Sequence, residues 1–534
     1  MQELRLVPPA LAVWAAALTV LVVGVAPAAA LVVTAGLACA ALRQYGQAIL
    51  VAGLGAASWA AATVRLALAE RFDPPGSVRG TVSSAPVPLA DGGFLVRVSV
   101  PGHPGPIPVF TRGLPDGAVP GAVVDAIGTV GEAGRPGTTR ITLSGQVQVE
   151  EPPRGMAAVA GHVRETLTSA AAAHLGEGPR GLVPGLVLGD TSLQTPAQQQ
   201  AYVDTGLSHL SAVSGSNVAI VTTAAVLVAS TLGCGLRARI VCAGVALMTY
   251  ACLVGAEPSV LRASVTGLVS LVAVLSSRIS EPVHALCLAV VALVIVDTNL
   301  AVSYGFALSV AATAGIVVLS PLLYRALAVL RWPEILTRAL AVAVAADVVT
   351  MPLIALMTGR VSLVAVVANV LVAPCVGPIT VLGLVATVLA LLPGGAEAPL
   401  LWVVEPLAWW VSAVAEHGAR LPGATIQARP LTVVVVYGWI IAGLVAGRPR
   451  FTALATAAVV AVASLAAQPT PRHPAIDPAT ARTHVVSTED DVEPVPEGTE
   501  VVVVLESGRA PPRPVVTAGG IPVVYPNRGA TGGG

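Results

Sequence analysis

Charge is scarce in this 534-residue chain, and aromatic side chains are scarcer still. Charged residues make up 11% of it and aromatic residues 4%, whereas hydrophobic residues make up 55% and the mean hydropathy is +0.81. A chain with so little charge cannot give several soluble domains a solvated surface, so the composition excludes an ordinary water-soluble protein. The formal net charge is zero, and no overall positive field attracts nucleic acid.

The short motifs of soluble catalysis are missing as well. The sequence contains no HExxH, no GxxxxGK[ST] and no GxSxG motif. No two of its eight histidines lie at metal-ligand spacing, and its six cysteines include no CxxC pair. We therefore expect a protein that is not an enzyme, with no catalytic residue, no metal, no cofactor and small buried thiols instead of disulfides.

Long apolar stretches are abundant and recur from Pro9 to Leu465. Each is long enough to cross a bilayer, which predicts a polytopic α-helical membrane protein. The first stretch is too long for the core of a cleavable signal peptide. About three tightly spaced helices are expected in residues 8–69, and further passes at 207–233, 239–256, 259–277, 283–297, 300–320, 338–358, 361–392, 400–416, 430–447 and 451–467. Pro374 and Pro378 interrupt the 361–392 stretch, so one kinked helix, a broken helix and a tight pair all remain open.

Between Asp73 and Glu151 the pattern changes to short alternating runs such as Phe94–Val98, separated by Gly, Pro and Asp. Five or six strands in so short a segment predict a small OB-like barrel, a fold that often holds single-stranded nucleic acid. Base stacking is weakly supported, because Phe94 and Phe110 are essentially the aromatic residues available.

The rest of the chain divides around this insertion. Residues 155–200 are expected to form an amphipathic approach to the membrane. The segment from Gln468 is rich in Pro, Thr, Gly and acidic residues and is expected to be largely disordered, with one strand in the valine run at 500–506. The predicted parts are N-terminal transmembrane helices at 1–72, an OB-like β domain at 73–152, a main transmembrane domain at 153–467 and a tail at 468–534.

Arginines in short loops predict the orientation, because positive loops stay in the cytoplasm. Arg5 and Arg43 flank the first helices and place the N-terminus inside. The β domain and the C-terminal tail then lie outside, although Arg360, Arg420 and Arg429 fall on the wrong side of this scheme.

Four polar islands interrupt the apolar passes, and buried polar groups need partners or water. The islands are residues 185–217, 255–263, 304–313 and 347–369. Two interpretations stay open for them: the side chains line a hydrated path, or they satisfy one another in a packed bundle. In particular, Glu257 and Arg262 flank Pro258 and could form a mutual ion pair. The candidate path residues are His209, Ser214, Gly215, Ser216, Asn217, Glu257, Ser259, Arg262, Ser309 and Asn369.

At these islands the chain resembles the ComEC family, the membrane channel for DNA uptake in bacterial competence. The similarity rests on GLVLGD at 185–190, TGLSHLSAVSGSNVAIV at 205–221, PSVLRAS at 258–264, GFALSVAATAGI at 305–316 and TMPLIALMTGRVSLVAVVANVLVAP at 350–374. Their order and spacing agree with the family over roughly residues 155–450.

The chain departs from the family pattern in two ways. The commoner first motif has Leu-His after Ser-Gly, where this chain has Ser216-Asn217, so a role for that histidine cannot be carried over. Many members also end in a metallo-β-lactamase-like domain with an HxHxDH motif, which this sequence does not contain. A strand-degrading nuclease would then be a separate protein.

The resemblance implies a multi-pass protein of the bacterial cell membrane that admits single-stranded DNA during natural transformation. Its expected partners are single-stranded DNA, the lipid bilayer, and separate ATP-driven motor, DNA receptor and nuclease proteins; its oligomeric state is left open. A transporter of a small molecule or lipid-linked substrate is the alternative, and a membrane scaffold without conduction is a third possibility.

Overall fold

A computed structural model describes residues 4–72, 76–89, 92–211, 213, 215–255, 257–275 and 281–446, together with 448, 451, 454–455 and short stretches between 483 and 529. The chain divides into two compact units, residues 1–466 and residues 467–534. The predicted tenth pass at 451–467 lies largely outside the described residues.

Three antiparallel helices open the first unit. They are α1 (Val7–Val22), α2 (Val25–Ala41) and α3 (Tyr45–Glu70). The turn between α1 and α2 uses Gly24 at a φ of +132°, a conformation that other residues rarely adopt. The Ser58 hydroxyl donates to the Val13 carbonyl at 2.8 Å, and the Trp59 indole donates to the Val25 carbonyl at 3.0 Å. These bonds tie the three helices together, as their tight spacing predicted.

Six strands follow, and they confirm the OB-like prediction. They are β1 (Ser77–Val82), β2 (Val87–Pro88), β3 (Phe94–Ser99), β4 (Ile107–Thr111), β5 (Val123–Glu132) and β6 (Ile141–Glu151). The sheet order is β1-β5-β6-β4-β3-β2, and an added β1–β3 pairing closes five of the strands into a barrel. β4 and β6 pair in parallel and the remaining neighbours pair antiparallel. Alternate residues such as Val96, Val98 and Val124 fill the interior.

The helices of the main bundle match the predicted passes to within several residues. They are α7 (Gly215–Thr231), α8 (Leu236–Val254), α9 (Pro258–Leu275), α10 (Pro282–Val296), α11 (Tyr304–Leu327), α12 (Glu334–Thr358), α13 (Ala365–Ala390), α14 (Ala398–Arg420) and α15 (Pro430–Val445). Within the described residues, α3, α8, α11, α12, α13 and α14 are each long and apolar enough to cross a membrane. The 361–392 stretch is one helix, α13, which contains both prolines.

Two short strands join the segments before α13 and α15 at one end of the bundle. β7 (Arg360–Ser362) precedes α13, and β8 (Thr425–Gln427) precedes α15. They pair antiparallel, and the Arg360 guanidinium donates to the Thr425 hydroxyl at 2.8 Å. The pairing places the start of α13 and the start of α15 at the same end of the bundle.

Residues 155–200 correct part of the prediction of an amphipathic approach. They fold as α4 (Met156–His174), α5 (Glu177–Leu188) and the start of α6 (Pro196–Asp204). In α5 every residue from Gly181 to Leu188 is buried, whereas α4 buries one face only. Helix α5 belongs to the largest hydrophobic cluster, with residues of α4, α7, α8, α13 and α14. The prediction was wrong for α5 because several Gly and Pro residues obscure the helical pattern of a segment that is apolar on all sides.

The second unit contains β9 (Thr483–Val486), β10 (Val501–Val504), β11 (Gly508–Arg509), β12 (Val515–Val516), β13 (Pro522–Val524) and β14 (Arg528–Gly529). The valine run forms the predicted strand. However, the expectation of a largely disordered tail is wrong for these described residues, because β9, β10, β12 and β13 form one sheet. Val502 and Val504 are fully buried against Val486 and Val523, and this apolar contact is what the acidic, Pro-rich composition concealed.

Candidate functional site

The polar segment 206–217 runs along α13 from its first residue to its middle. A Cβ built on Gly206 would lie 2.7 Å from the Ala365 Cβ, and the Asn217 side-chain oxygen accepts from the Thr380 hydroxyl at 3.5 Å. Residues 365 and 380 are about 22 Å apart along a helix at 1.5 Å per residue. Between α6 and α7 the residues that the structure describes are non-helical apart from a 3-10 turn at Ser208–Leu210, and α7 begins at Gly215. Non-helical backbone at membrane depth is tolerated only inside protein or against water.

Helix α5 is held at both ends by side chains from other helices. At its start, the Gly176 amide donates to a carboxylate oxygen of Glu405 on α14 at 3.1 Å. At its end, the Asn217 amide donates to the Leu186 carbonyl at 2.7 Å and the Tyr250 hydroxyl donates to the Val187 carbonyl at 2.8 Å. Helix ends leave backbone groups without intrahelical partners, and these three side chains satisfy them. The Asn217 side chain is therefore a buried cap of α5, with an exposed fraction of 0%.

The start of α7 and the first two turns of α9 and α11 meet around the guanidinium of Arg262. Arg262 Nε donates to the Ser309 hydroxyl at 2.8 Å, and Arg262 is only 8% exposed. A Cβ on Gly215 would lie 2.9 Å from Arg262 Nη2, so the guanidinium lies directly against the start of α7. The Ser259 hydroxyl donates to the Val213 carbonyl at 2.7 Å and fixes α9 to the same segment. Three helix N-termini, each with partial positive charge, thus surround one buried cation.

Glu257 does not neutralise this cation. It is exposed, and among the residues that the structure describes no carboxylate lies within ion-pair distance of Arg262. The predicted possibility of a Glu257–Arg262 ion pair is thus wrong for this structure. A buried guanidinium among helix N-termini gives a local environment that favours an anion.

The structure brings four of the ten candidate residues together: Gly215, Ser259, Arg262 and Ser309. Asn217 lies two residues further along α7. His209 is exposed at the 3-10 turn, with Nδ1 at 3.2 Å from the Gly206 carbonyl, and the Asn369 amide donates to Ala365 within its own helix at 2.9 Å. Ser214 and the side chain of Ser216 lie outside the described residues.

Several polar residues of this region were not predicted. Gln194 is buried and donates to the Gly181 carbonyl at 3.1 Å and to the Ser211 hydroxyl at 3.2 Å. Tyr202, on α6, contacts the Ser412 hydroxyl at 3.2 Å, and burial raises the pKa of its phenol. Tyr250, Glu405 and Thr380 could have been identified from the sequence, because each is a polar side chain within an apolar pass. Gln194 lies within the first polar island, residues 185–217, where its many polar neighbours do not single it out.

The β barrel has a cleft of its own on the outer side of β4 and β6. Phe110, which is 37% exposed, lies in its wall with Arg112 and Gln146. An aromatic face, a guanidinium and an amide are the groups that stack on and hydrogen-bond to unpaired bases.

These features define a class of protein. It is a multi-pass α-helical membrane protein with an OB-like barrel, and it has a cationic site beside a non-helical segment inside its bundle. Residues 186–451, about half of the chain, match the family described as Competence protein. The chain belongs to this family, the ComEC-type competence proteins, which act in DNA uptake during transformation. No curated protein and no solved structure matches the chain.

Proposed function

We propose that this protein is the channel through which single-stranded DNA crosses the cytoplasmic membrane during natural transformation. The observation that carries the proposal is the buried Arg262 guanidinium, without a carboxylate partner among the described residues, at the meeting point of three helix N-termini. DNA is a polyanion, and its phosphates need positive charge and hydrogen-bond donors where water is excluded.

The segment 206–217 supplies the route to this site. It runs beside α13 over about 22 Å, the span between the residues that contact Gly206 and Asn217, and it leads to the start of α7 beside Arg262. In this proposal His209 lies near the mouth and Gly215, Ser259, Arg262 and Ser309 form the narrow cationic part. Ser214, Ser216, Glu257 and Asn369 remain candidate lining residues. Asn217 acts first as a cap, and its amide becomes available only when α5 moves.

The β barrel, residues 73–152 in our domain scheme, would receive the strand outside the cell at the cleft of Phe110, Arg112 and Gln146. The transmembrane part at 153–467 would conduct it, and the tail at 468–534 would also lie outside. Motor, receptor and nuclease functions would come from separate proteins, because the sequence contains no nucleotide-binding loop and no nuclease motif.

Arg262→Ala tests the proposal by removing the charge and the bond to Ser309. A charge-assisted hydrogen bond contributes about 1.5–3 kcal/mol, so uptake of labelled DNA should fall on the order of tenfold to a hundredfold. The measurement is DNA uptake by a deletion strain that expresses the variant, normalised to the amount of protein in the membrane.

Arg65→Ala is the control, because Arg65 is a half-buried arginine of the bundle that, like the buried Arg262, donates to a hydroxyl. It donates to the Ile295 carbonyl at 2.7 Å and the Thr298 hydroxyl at 2.6 Å, away from the Arg262 site. This control should lower the protein level and leave uptake per molecule intact. Normal uptake by Arg262→Ala would contradict a conducting role for the site.

A further inference from the structure

Helix α12 carries a carboxyl group in the middle of an otherwise apolar span. Asp347 lies near the centre of Glu334–Thr358 and is 8% exposed. α12 is among the helices long and apolar enough to cross the membrane. An isolated carboxylate at such a depth is costly, and carboxyl groups placed there are typically functional.

The partner of Asp347 is the hydroxyl of Tyr437 on α15, which donates to Asp347 Oδ2. Within the described structure, no Lys, Arg or His lies within ion-pair distance of Asp347. The charged groups described on α12 and beside it lie at the two ends of the helix. At its beginning, Arg338 pairs with Glu334 and stacks on Tyr324. Arg360 follows the other end and bonds Thr425. Because no cation among the described residues faces the carboxyl group, a proton is the ligand that would neutralise it.

Asp347 is mechanically linked to the Arg262 site through α11. A Cβ on Gly315 of α11 would lie 2.5 Å from both the Ala345 carbonyl and the Val349 side chain. These residues lie two positions before and after Asp347, so α11 packs against the face of α12 opposite the carboxyl group, at the same level along the helix. Ser309, which holds Arg262, lies about 9 Å from Gly315 along the same helix. Because protein interiors are close-packed, we expect a shift of α12 at this contact to displace α11 as well.

We propose that Asp347 is a proton-binding site whose loading and release accompany DNA passage, an inference that rests on the proposed channel function. Loading forms an O–H bond on a carboxylate oxygen as hydronium gives up its proton, and release returns that proton to water. No electron is transferred. The neutral acid keeps α12, α15 and α11 packed, and the charged form changes that packing and so reaches Ser309 and Arg262.

The test uses the full chain in the deletion strain. Asp347→Asn keeps the shape and a hydrogen-bond acceptor for Tyr437, but it cannot bind or release a proton. DNA uptake per molecule should fall about tenfold, in the range of coupling between linked sites, and should lose its dependence on external pH. Asp347→Glu should restore part of the uptake together with its pH dependence. Glu334→Gln, which removes an exposed carboxylate of the same helix, should change neither.

Each outcome bears on one of the two proposals. Wild-type uptake by Asp347→Asn, with Arg262→Ala still defective, overturns the proton site and leaves the channel. Normal uptake by Arg262→Ala contradicts the channel itself. A purely structural role would lower uptake equally at all pH values and leave the wild-type pH dependence, which also overturns the proposal. If Asp347→Asn does not accumulate, Tyr437→Phe keeps the carboxyl group and should shift the pH dependence; an unshifted profile counts against the site.

Discussion

At the scale of single residues, Gly215 decides how closely a cation can approach the backbone of α7. The Arg262 guanidinium occupies the space that any side chain at position 215 would take, since a Cβ there would lie 2.9 Å from Nη2. A contact this short forces either the guanidinium or the first turn of α7 to shift. The geometry of the anion-favouring site thus depends on a residue that has no functional group.

Gly215→Ala should therefore reduce DNA uptake about tenfold, although it leaves every charge in place and adds helix propensity. Misplacement of the guanidinium is the physical reason. The check is labelled-DNA uptake at matched membrane levels. Gly244→Ala in α8 is the control, because its Cβ would meet only the Leu271 side chain at 3.9 Å. Equal uptake by both variants would show that the close contact at Gly215 does not matter.

The sequence identified Arg262 because a charged residue four positions after a proline is unusual between apolar passes. It could not identify the partners, since nothing in the pattern relates residue 262 to Ser309 or Gly215. Proximity in sequence suggested Glu257 instead, and the turn before α9 points that carboxylate away into an exposed position. The partners of a buried charge depend on helix packing, which one sequence does not encode in any local pattern.

At the scale of elements, α5 is a short helix whose terminal backbone groups are hydrogen-bonded by side chains of other helices. Its terminal groups are bonded to Glu405, Asn217 and Tyr250, which come from α14, α7 and α8. The long helices α8 and α11 to α14 were predictable because a continuous apolar stretch of that length has few alternatives in a membrane. α5 was not, because it is short, contains Pro184 and acquires its burial entirely from its neighbours.

Asn217→Ala should destabilise the bundle by about 1–3 kcal/mol, because the buried Leu186 carbonyl loses its donor. The expected result is a lower thermal midpoint for the detergent-purified protein. Asn369→Ala removes an amide bonded only within its own helix turn and should change the midpoint much less. Equal midpoints for the two variants would contradict the capping role of Asn217.

At the scale of the whole first unit, the barrel is fixed to the bundle by a small polar contact. The tip of the β5–β6 ribbon places Thr138 against Asn299, in the 3-10 turn between α10 and α11. The Asn299 side-chain oxygen accepts from the Thr138 amide at 2.8 Å and from its hydroxyl at 2.9 Å. Close approach is possible because Gly105 and Gly137 leave room around the asparagine.

Asn299→Ala should release this contact and cost about 1–3 kcal/mol of local stability. Amide hydrogen exchange at Thr138 should then accelerate on the order of tenfold to a hundredfold, because the amide loses a buried acceptor. Arg135→Ala, at an exposed position of the same ribbon tip, should leave exchange at Thr138 unchanged. Unchanged exchange in Asn299→Ala would show that the barrel is held by other contacts.

The contact between Thr138 and Asn299 also connects the barrel to the Arg262 site through a series of hydrogen bonds and one helix. Thr138 bonds Asn299, Asn299 lies shortly before the first turn of α11, and Ser309 in that helix holds the arginine. In the proposed channel, a DNA strand under tension between the barrel and the cytoplasm would pull directly on this series of hydrogen bonds. Tension in the DNA, and not only its charge, would then set how firmly the arginine is held.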